Sequence, residues 1–161
     1  VANLLTERGI RPGEKVALSC ANIPQFTTIH FGILKAGAVV VPLNVLLKAR
    51  EIAYHLNDSD ATAYFAFEGS PELPIGREAW SAFQAADRAA HFFLIGSGAS
   101  VDGVTPDQVF AAAVAGQPET FETVQRADDD TAVIDSGGCD TCRRVAARPK
   151  RRFSATGIAP A

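Results

Sequence analysis

The chain has 161 residues, 47% hydrophobic and 20% charged, the composition of one ordinary globular domain. A net charge of -3 gives no reason to expect nucleic acid or an anionic membrane as partner. No apolar run approaches the roughly 18 residues of a membrane span, and no signal peptide is visible. Cys20, Cys139 and Cys142 are an odd count without a disulfide framework, which predicts a reducing, cytoplasmic setting.

In chain order, residues 1–7 place Val1, Leu4 and Leu5 on one helical face, and Gly9 supplies a stop. Arg11-Pro12-Gly13 is a turn, and Lys15 to Ser19 reads as the first strand. Asn22 is a candidate cap for a helix starting near Pro24, where proline costs no needed hydrogen bond. Phe26, Ile29, His30, Ile33 and Leu34 then recur at helical spacing. Gly37 ends this helix, and residues 38–43 form an apolar, β-branched strand that Pro42 brings to a close.

A third helix is expected over residues 48–57, with Ile52, His55 and Leu56 on one side, and a third strand over 62–67. Residues 69–76 read as a Pro-bearing surface loop, 77–90 as a helix carrying Trp80 and Phe83, and 91–95 as a fourth strand. Gly96-Ser97-Gly98-Ala99-Ser100 reads as a flexible loop. Thr105-Pro106-Asp107 starts an alanine-rich helix that runs to Gly116. This alternation predicts an α/β fold with a mostly parallel sheet, flanking helices and right-handed crossovers.

The wording of several segments is more specific than the pattern. Phe31-Gly32-Ile33-Leu34-Lys35-Ala36-Gly37-Ala38-Val39-Val40-Val41-Pro42-Leu43-Asn44 resembles a conserved segment of the adenylate-forming enzymes, which include acyl-CoA synthetases, aryl-CoA ligases, luciferases and peptide-synthetase adenylation domains. Arg8-Gly9-Ile10-Arg11-Pro12-Gly13-Glu14-Lys15-Val16-Ala17-Leu18 and Asn22-Ile23-Pro24-Gln25-Phe26 are similar to the segments that precede it in that family. Leu47-Lys48-Ala49-Arg50-Glu51-Ile52-Ala53-Tyr54-His55-Leu56-Asn57-Asp58-Ser59 resembles the acyl-CoA synthetase form of the next helix and favours acyl-CoA synthetases over peptide-synthetase domains; the resemblance as a whole implies the fatty-acid or medium-chain acyl type. Between Gly69 and Asp128 the likeness is one of pattern only. The resemblance implies a partial N-terminal subdomain over residues 1–134, part of a much longer enzyme.

The family reaction joins a carboxylate to ATP, giving acyl-AMP and pyrophosphate, and coenzyme A then displaces AMP. The intact enzymes use ATP, Mg2+ and coenzyme A. Their phosphate loop reads Tyr-Thr-Ser-Gly-Thr-Thr-Gly-x-Pro-Lys-Gly. Glycine lets backbone N–H groups approach the phosphates, hydroxyls add donors and lysine adds positive charge.

Here Asp128-Asp129-Asp130-Thr131-Ala132-Val133-Ile134 matches the strand leading into that loop. Beyond it the match fails. Ser136, Gly137 and Gly138 stand for the loop's Ser-Gly, and Lys150 after Pro149 for its Pro-Lys, but the spacing is too long. Asp135 also sets a negative charge where a phosphate would lie. The resemblance therefore implies a degenerate phosphate loop and no catalytic residue within this chain, the remaining motifs falling beyond Ala161.

Composition shifts at the same point. Residues 135–161 hold one aromatic, Phe153, and cluster Arg143, Arg144, Arg148, Lys150, Arg151 and Arg152. A disordered basic tail is the expectation, with an anion-binding tail as the functional alternative. Its Arg, Ala, Pro and Gly content also matches GC-rich DNA read out of frame.

Other features carry less. Cys139-x-x-Cys142 lacks a second ligand pair for zinc. Gly96-x-Gly98 lacks the third glycine of a dinucleotide loop. His30 and His55 read as packing residues, His91 as a strand start, and Asp128, Asp129 and Asp130 as a solvated turn rather than a cation site. Three readings stay open: part of an AMP-dependent acyl-CoA ligase inactive on its own, a non-catalytic module that associates with an intact homologue through exposed sheet edges, and a gene remnant with no activity.

Overall fold

The computed structural model describes residues 1–135. Four parallel strands form one sheet in the order β2-β1-β3-β4. The elements are α1 (Ala2–Glu7), β1 (Lys15–Ser19), α2 (Pro24–Lys35), β2 (Val39–Pro42), α3 (Ala49–Asp58), β3 (Ala61–Phe67), α4 (Ile75–Gln84) and β4 (His91–Ile95). A 3-10 turn at Pro106–Gln108 and α5 (Phe110–Val114) follow.

Side-chain alternation along the strands builds two cores, one on each face. Val16, Leu18, Val40, Ala63, Phe65, Phe93 and Ile95 meet Leu4 and Leu5 of α1 and Ile29 and Ile33 of α2. Ala17, Val41, Tyr64, Ala66, Phe92 and Leu94 meet Ile52 and Leu56 of α3 and Ala79 and Ala82 of α4. Ile29, Ile33, Ile52 and Leu56 are at most 2% exposed, so each stabilises its helix's seat by about 1.5–3 kcal/mol.

The first crossover, β1 to β2, carries α2 on one face. The second, β2 to β3, passes back over β1 with α3 on the other face. Opposite direction and opposite face give the two crossovers the same hand.

Gly37, Pro24 and Pro42 behave as the sequence indicates. Gly37 takes φ +74 and closes α2. Pro24 sits in the first turn of α2. At the start of α3, Glu51 accepts the Lys48 N–H at 2.9 Å, a contact not among the sequence-based expectations. Pro42 ends β2.

Several expectations are corrected. Asn22 does not cap α2: the cap position is Ile23, and no side chain bonds there. The fourth helix starts at Ile75, inside the expected loop, and stops at Gln84, well before Ala90. Its end is fixed by a loop in which the Asp87 N–H donates to Asn57 Oδ1 at 2.9 Å. The helix expected from Thr105 to Gly116 is broken at Val109, whose backbone is extended (φ -76, ψ 122) and which bridges Leu94 of β4. Alanine-rich propensity is too weak to override that pairing.

Residues 117–134 form a strap, of which the sequence announces only the last part, the lead-in segment over 128–134. Asn3 Nδ2 donates to the carbonyls of Pro118 and Thr120, at 2.7 and 3.1 Å. The Val124 N–H then bonds the Lys35 carbonyl at the end of α2. Finally the strap reaches β2, where Val133 pairs in parallel with Val40. The chain thus travels from the β4 side of the sheet to its β2 edge. Among the described residues no helix is long and apolar enough to cross a membrane.

Candidate functional site

A parallel sheet directs its ligands to the carboxyl ends of its strands, at the point where successive connections depart in opposite directions. Here that point lies between β1 and β3. The chain leaves β1 into α2 on one face and leaves β3 toward α4 on the other. Ser19 ends β1 with Cys20 next, Phe67 ends β3 with Glu68 next, and Ile95 ends β4 beside them.

The strap delivers a fifth segment to the same edge. The Val40 N–H donates to the Ala132 carbonyl at 3.0 Å, and the Ile134 N–H donates to the Val40 carbonyl at 2.9 Å. Because this pairing is parallel, the chain after Ile134 leaves the sheet at its carboxyl edge. The expected lead-in segment therefore lies against β2. Ser136, Gly137, Gly138 and Lys150, and with them Cys139, Cys142 and the basic tail, lie outside the described residues.

At the other end of the edge, the loop expected to be flexible is closely tied. The carboxylate of Glu68 accepts the N–H groups of Ser97, Gly98 and Ser100, and the hydroxyls of Ser97 and Ser100. Its side chain is desolvated, which alone would raise its pKa. The converging donors outweigh that and hold it well below the ordinary value, at about 2. Sequence reasoning passed over Glu68. The signal that would have found it is an acidic residue ending an apolar strand, with a Gly-Ser-Gly loop ending the neighbouring strand. The loop also walls a cleft of about 410 Å³ whose far side is Val104, Pro106, Val109 and Ala112.

The other titratable groups are structural. Burial pushes the Cys20 thiol up to about 11, so it stays protonated and unreactive at neutral pH. His30 stacks on Phe26 with ring centroids 5.7 Å apart, burial lowers its pKa, and its Nδ1 has no partner among the described residues. His55 packs edge-on against Tyr54. His91 starts β4, and burial followed by the nearby Arg8 charge lowers its pKa. Asp130 accepts the Ala127 N–H and pairs with Arg126 at 3.1 Å, which makes it part of the turn expected there.

Nucleotide and metal binding can be tested against these groups. The convergent N–H groups of the 96–100 loop are filled by Glu68 and do not suit an ATP phosphate. Among the described residues no group of three or more His, Cys, Asp or Glu side chains is placed to hold a metal ion. Among the described residues, the sheet's contact with the expected lead-in segment is the pairing of Val40 with Ala132 and Ile134.

Comparison with known proteins fits this geometry. Over 60 residues, 37% of this chain, the sequence is 47% identical to the crotonobetaine/carnitine–CoA ligase of Escherichia fergusonii, of which the match covers 12%. Over 74 residues, 46% of this chain, it is 38% identical to the long-chain-fatty-acid–CoA ligase FadD13 of Mycobacterium tuberculosis, covering 14% of that protein. The crystal structure of the anthranilate CoA ligase AuaEII, in complex with anthranoyl-AMP, superimposes with a TM-score of 0.70 at 28% identity, over 83% of this chain and 24% of that one. The matches thus span an eighth to a quarter of the relatives' lengths. The family model for AMP-binding enzymes matches residues 1–142, and the chain belongs to that family of adenylate-forming ligases.

Proposed function

We propose that residues 1–134 serve as the sheet-and-helix support for the phosphate loop of an AMP-dependent acid–CoA ligase, in the cytoplasm. In this reading the intact enzyme activates a carboxylic acid, such as a fatty acid, to acyl-AMP with ATP and Mg2+, and then transfers the acyl group to coenzyme A. The observation that carries the reading is the parallel pairing of Val133 with Val40, which aims the chain at the carboxyl edge of the sheet. Relatives named for carnitine, long-chain fatty acids and anthranilate all act on carboxylic acids, which supports the substrate class.

The chain by itself forms no acyl-AMP. Asp135 adds a negative charge where the family places phosphate, and in the sequence Ser136-Gly137-Gly138 and Lys150 are spaced more widely than the family's Ser-Gly and Pro-Lys. Loss of a single well-placed oxyanion donor costs about 10²–10³-fold in rate, and the sequence here departs from the family loop at several donor positions. The test is pyrophosphate exchange and acyl-hydroxamate formation with carboxylic acids of several lengths. The expected result is no turnover above blank. Turnover abolished by Lys150→Ala or Ser136→Ala would overturn the inactive reading.

A second reading is favoured by Phe31 and Leu46, which are 59% and 62% exposed. In it the chain docks on an intact ligase as a non-catalytic partner. Co-purification with a full-length homologue, lost on Phe31→Asp, separates the two readings.

A further inference from the structure

Loop 96–100 is organised around a single carboxylate. Three backbone N–H groups and two hydroxyls point inward to it. On Oε1 the Ser100 N–H lies at 3.0 Å and Ser100 Oγ at 2.7 Å. On Oε2 the Ser97 N–H lies at 2.5 Å, Ser97 Oγ at 3.1 Å and the Gly98 N–H at 3.3 Å. Glu68 has no ion-pair partner among the described residues, so these donors alone answer its charge.

The backbone of Glu68 is fixed independently. Its N–H donates to the Ile95 carbonyl at 3.0 Å, and its own carbonyl accepts the Gly76 N–H at 2.9 Å. The residue is 9% exposed. At Gly96 an added Cβ would overlap the carboxylate, so the backbone approaches as closely as a glycine permits. Successive N–H groups turned to a common point form an anion-binding concavity. In most such sites the anion comes from solution, whereas here the neighbouring strand supplies it.

We infer that loop 96–100 is a carboxylate-binding nest, that Glu68 is its resident anion, and that a small free carboxylate takes the same place once that side chain is removed. Both oxygens are engaged and each receives at least one hydroxyl, Ser97 Oγ reaching Oε1 as well at 3.4 Å, and at least one N–H, a two-point pattern that fits a planar carboxylate and that a spherical halide cannot satisfy. Occupancy fixes Ser97, Gly98 and Ala99 as one wall of the adjoining cleft.

The experiment measures amide hydrogen exchange at Ser97, Gly98 and Ser100 in Glu68→Ala, with and without sodium formate or acetate. Hydrogen bonds to a charged acceptor are strong enough that their loss should speed exchange on the order of 10–100-fold at these positions. Formate should restore protection along a saturable curve, while sodium chloride at equal ionic strength should not. The wild-type loop should ignore both salts. Unchanged protection in Glu68→Ala, or recovery that is absent or equal with chloride, would overturn the inference. Should Glu68→Ala not fold, Glu68→Gln keeps the volume and loses the charge. Its loop amides should exchange faster while those of Ala63 and Phe65 in β3 hold. Loop exchange equal to wild type in Glu68→Gln would likewise overturn the inference.

Discussion

The hydroxyls of Ser19 and Tyr64 meet at 2.7 Å between β1 and β3, each at most 1% exposed, and they satisfy one another inside an apolar layer. A mutual pair of this kind is costly to break from one side. Ser19→Ala should destabilise by about 1–3 kcal/mol, since it leaves the phenol unpaired, and Tyr64→Phe by a similar amount. The double variant should cost less than the sum of the two, because both polar groups go together. Urea unfolding of all four proteins measures this, and strict additivity would refute the coupling.

The same pair sets an alkaline limit. Burial raises the pKa of Tyr64 above its ordinary value of 10 and outweighs the opposing bond from Ser19. A neutral acid whose pKa is higher in the folded state contributes its full stability below pH 10 and loses it as pH rises further. Stability should therefore fall above pH 10 in the wild type and more gently in Tyr64→Phe.

Glu68 behaves in the opposite sense. Its pKa falls from 4.5 to about 2 on folding, so its contribution is present above pH 4.5 and is lost as pH drops toward 2. Glu68→Gln should flatten that part of the acid-unfolding curve, followed by circular dichroism, and should cost about 1–3 kcal/mol at neutral pH.

These groups show what the sequence makes legible and what it hides. The run from Gly37 to Pro42 announces helix stop, buried strand and exit, because each signal is local: a positive φ, a β-branched stretch and a missing N–H. The strands at Lys15–Ser19 and His91–Ile95 lie where their residues indicate. Features that depend on distant partners do not read out. Glu68 meets the 96–100 loop only once β3 and β4 are paired. The break at Val109 comes from a bridge to Leu94, and the strap is held by Asn3 and Lys35, far away in the chain. The phosphate-loop residues Ser136, Gly137, Gly138 and Lys150 lie outside the described residues.

Gly37 joins a local requirement to one of those distant contacts. Its φ of +74 disfavours any L side chain, and a Cβ there would sit 2.8 Å from Val124 Cγ1 on the strap. Gly37→Ala should therefore destabilise by roughly 1–3 kcal/mol, part backbone strain and part overlap. In a Val124→Ala background the closest overlap is relieved while Val124 Cβ at 3.1 Å and Pro12 Cβ at 3.2 Å stay in place, so the same change should cost less, though more than the ~1 kcal/mol of strain alone. Thermal unfolding of the four proteins separates the two parts, and an equal cost in both backgrounds would rule out the strap contact.

The attachment of residues 131–134 to β2 is the step on which the proposed function rests, and it depends on two hydrogen bonds, one of them donated by the Ile134 N–H. Proline at 134 has no such donor and removes that bond while leaving β2, β1, β3 and β4 intact. Ile134→Pro should cost about 1 kcal/mol in global stability, since one backbone bond at a sheet edge is lost. Its main effect should be local. The Val40 N–H, which donates to the Ala132 carbonyl, should exchange faster once the segment detaches, while the amides of Val16 and Phe65 in the sheet centre should not change. Unaltered protection at Val40 would show that the lead-in segment is held by something other than its pairing with β2, and the proposed support for the phosphate loop would lose its structural basis.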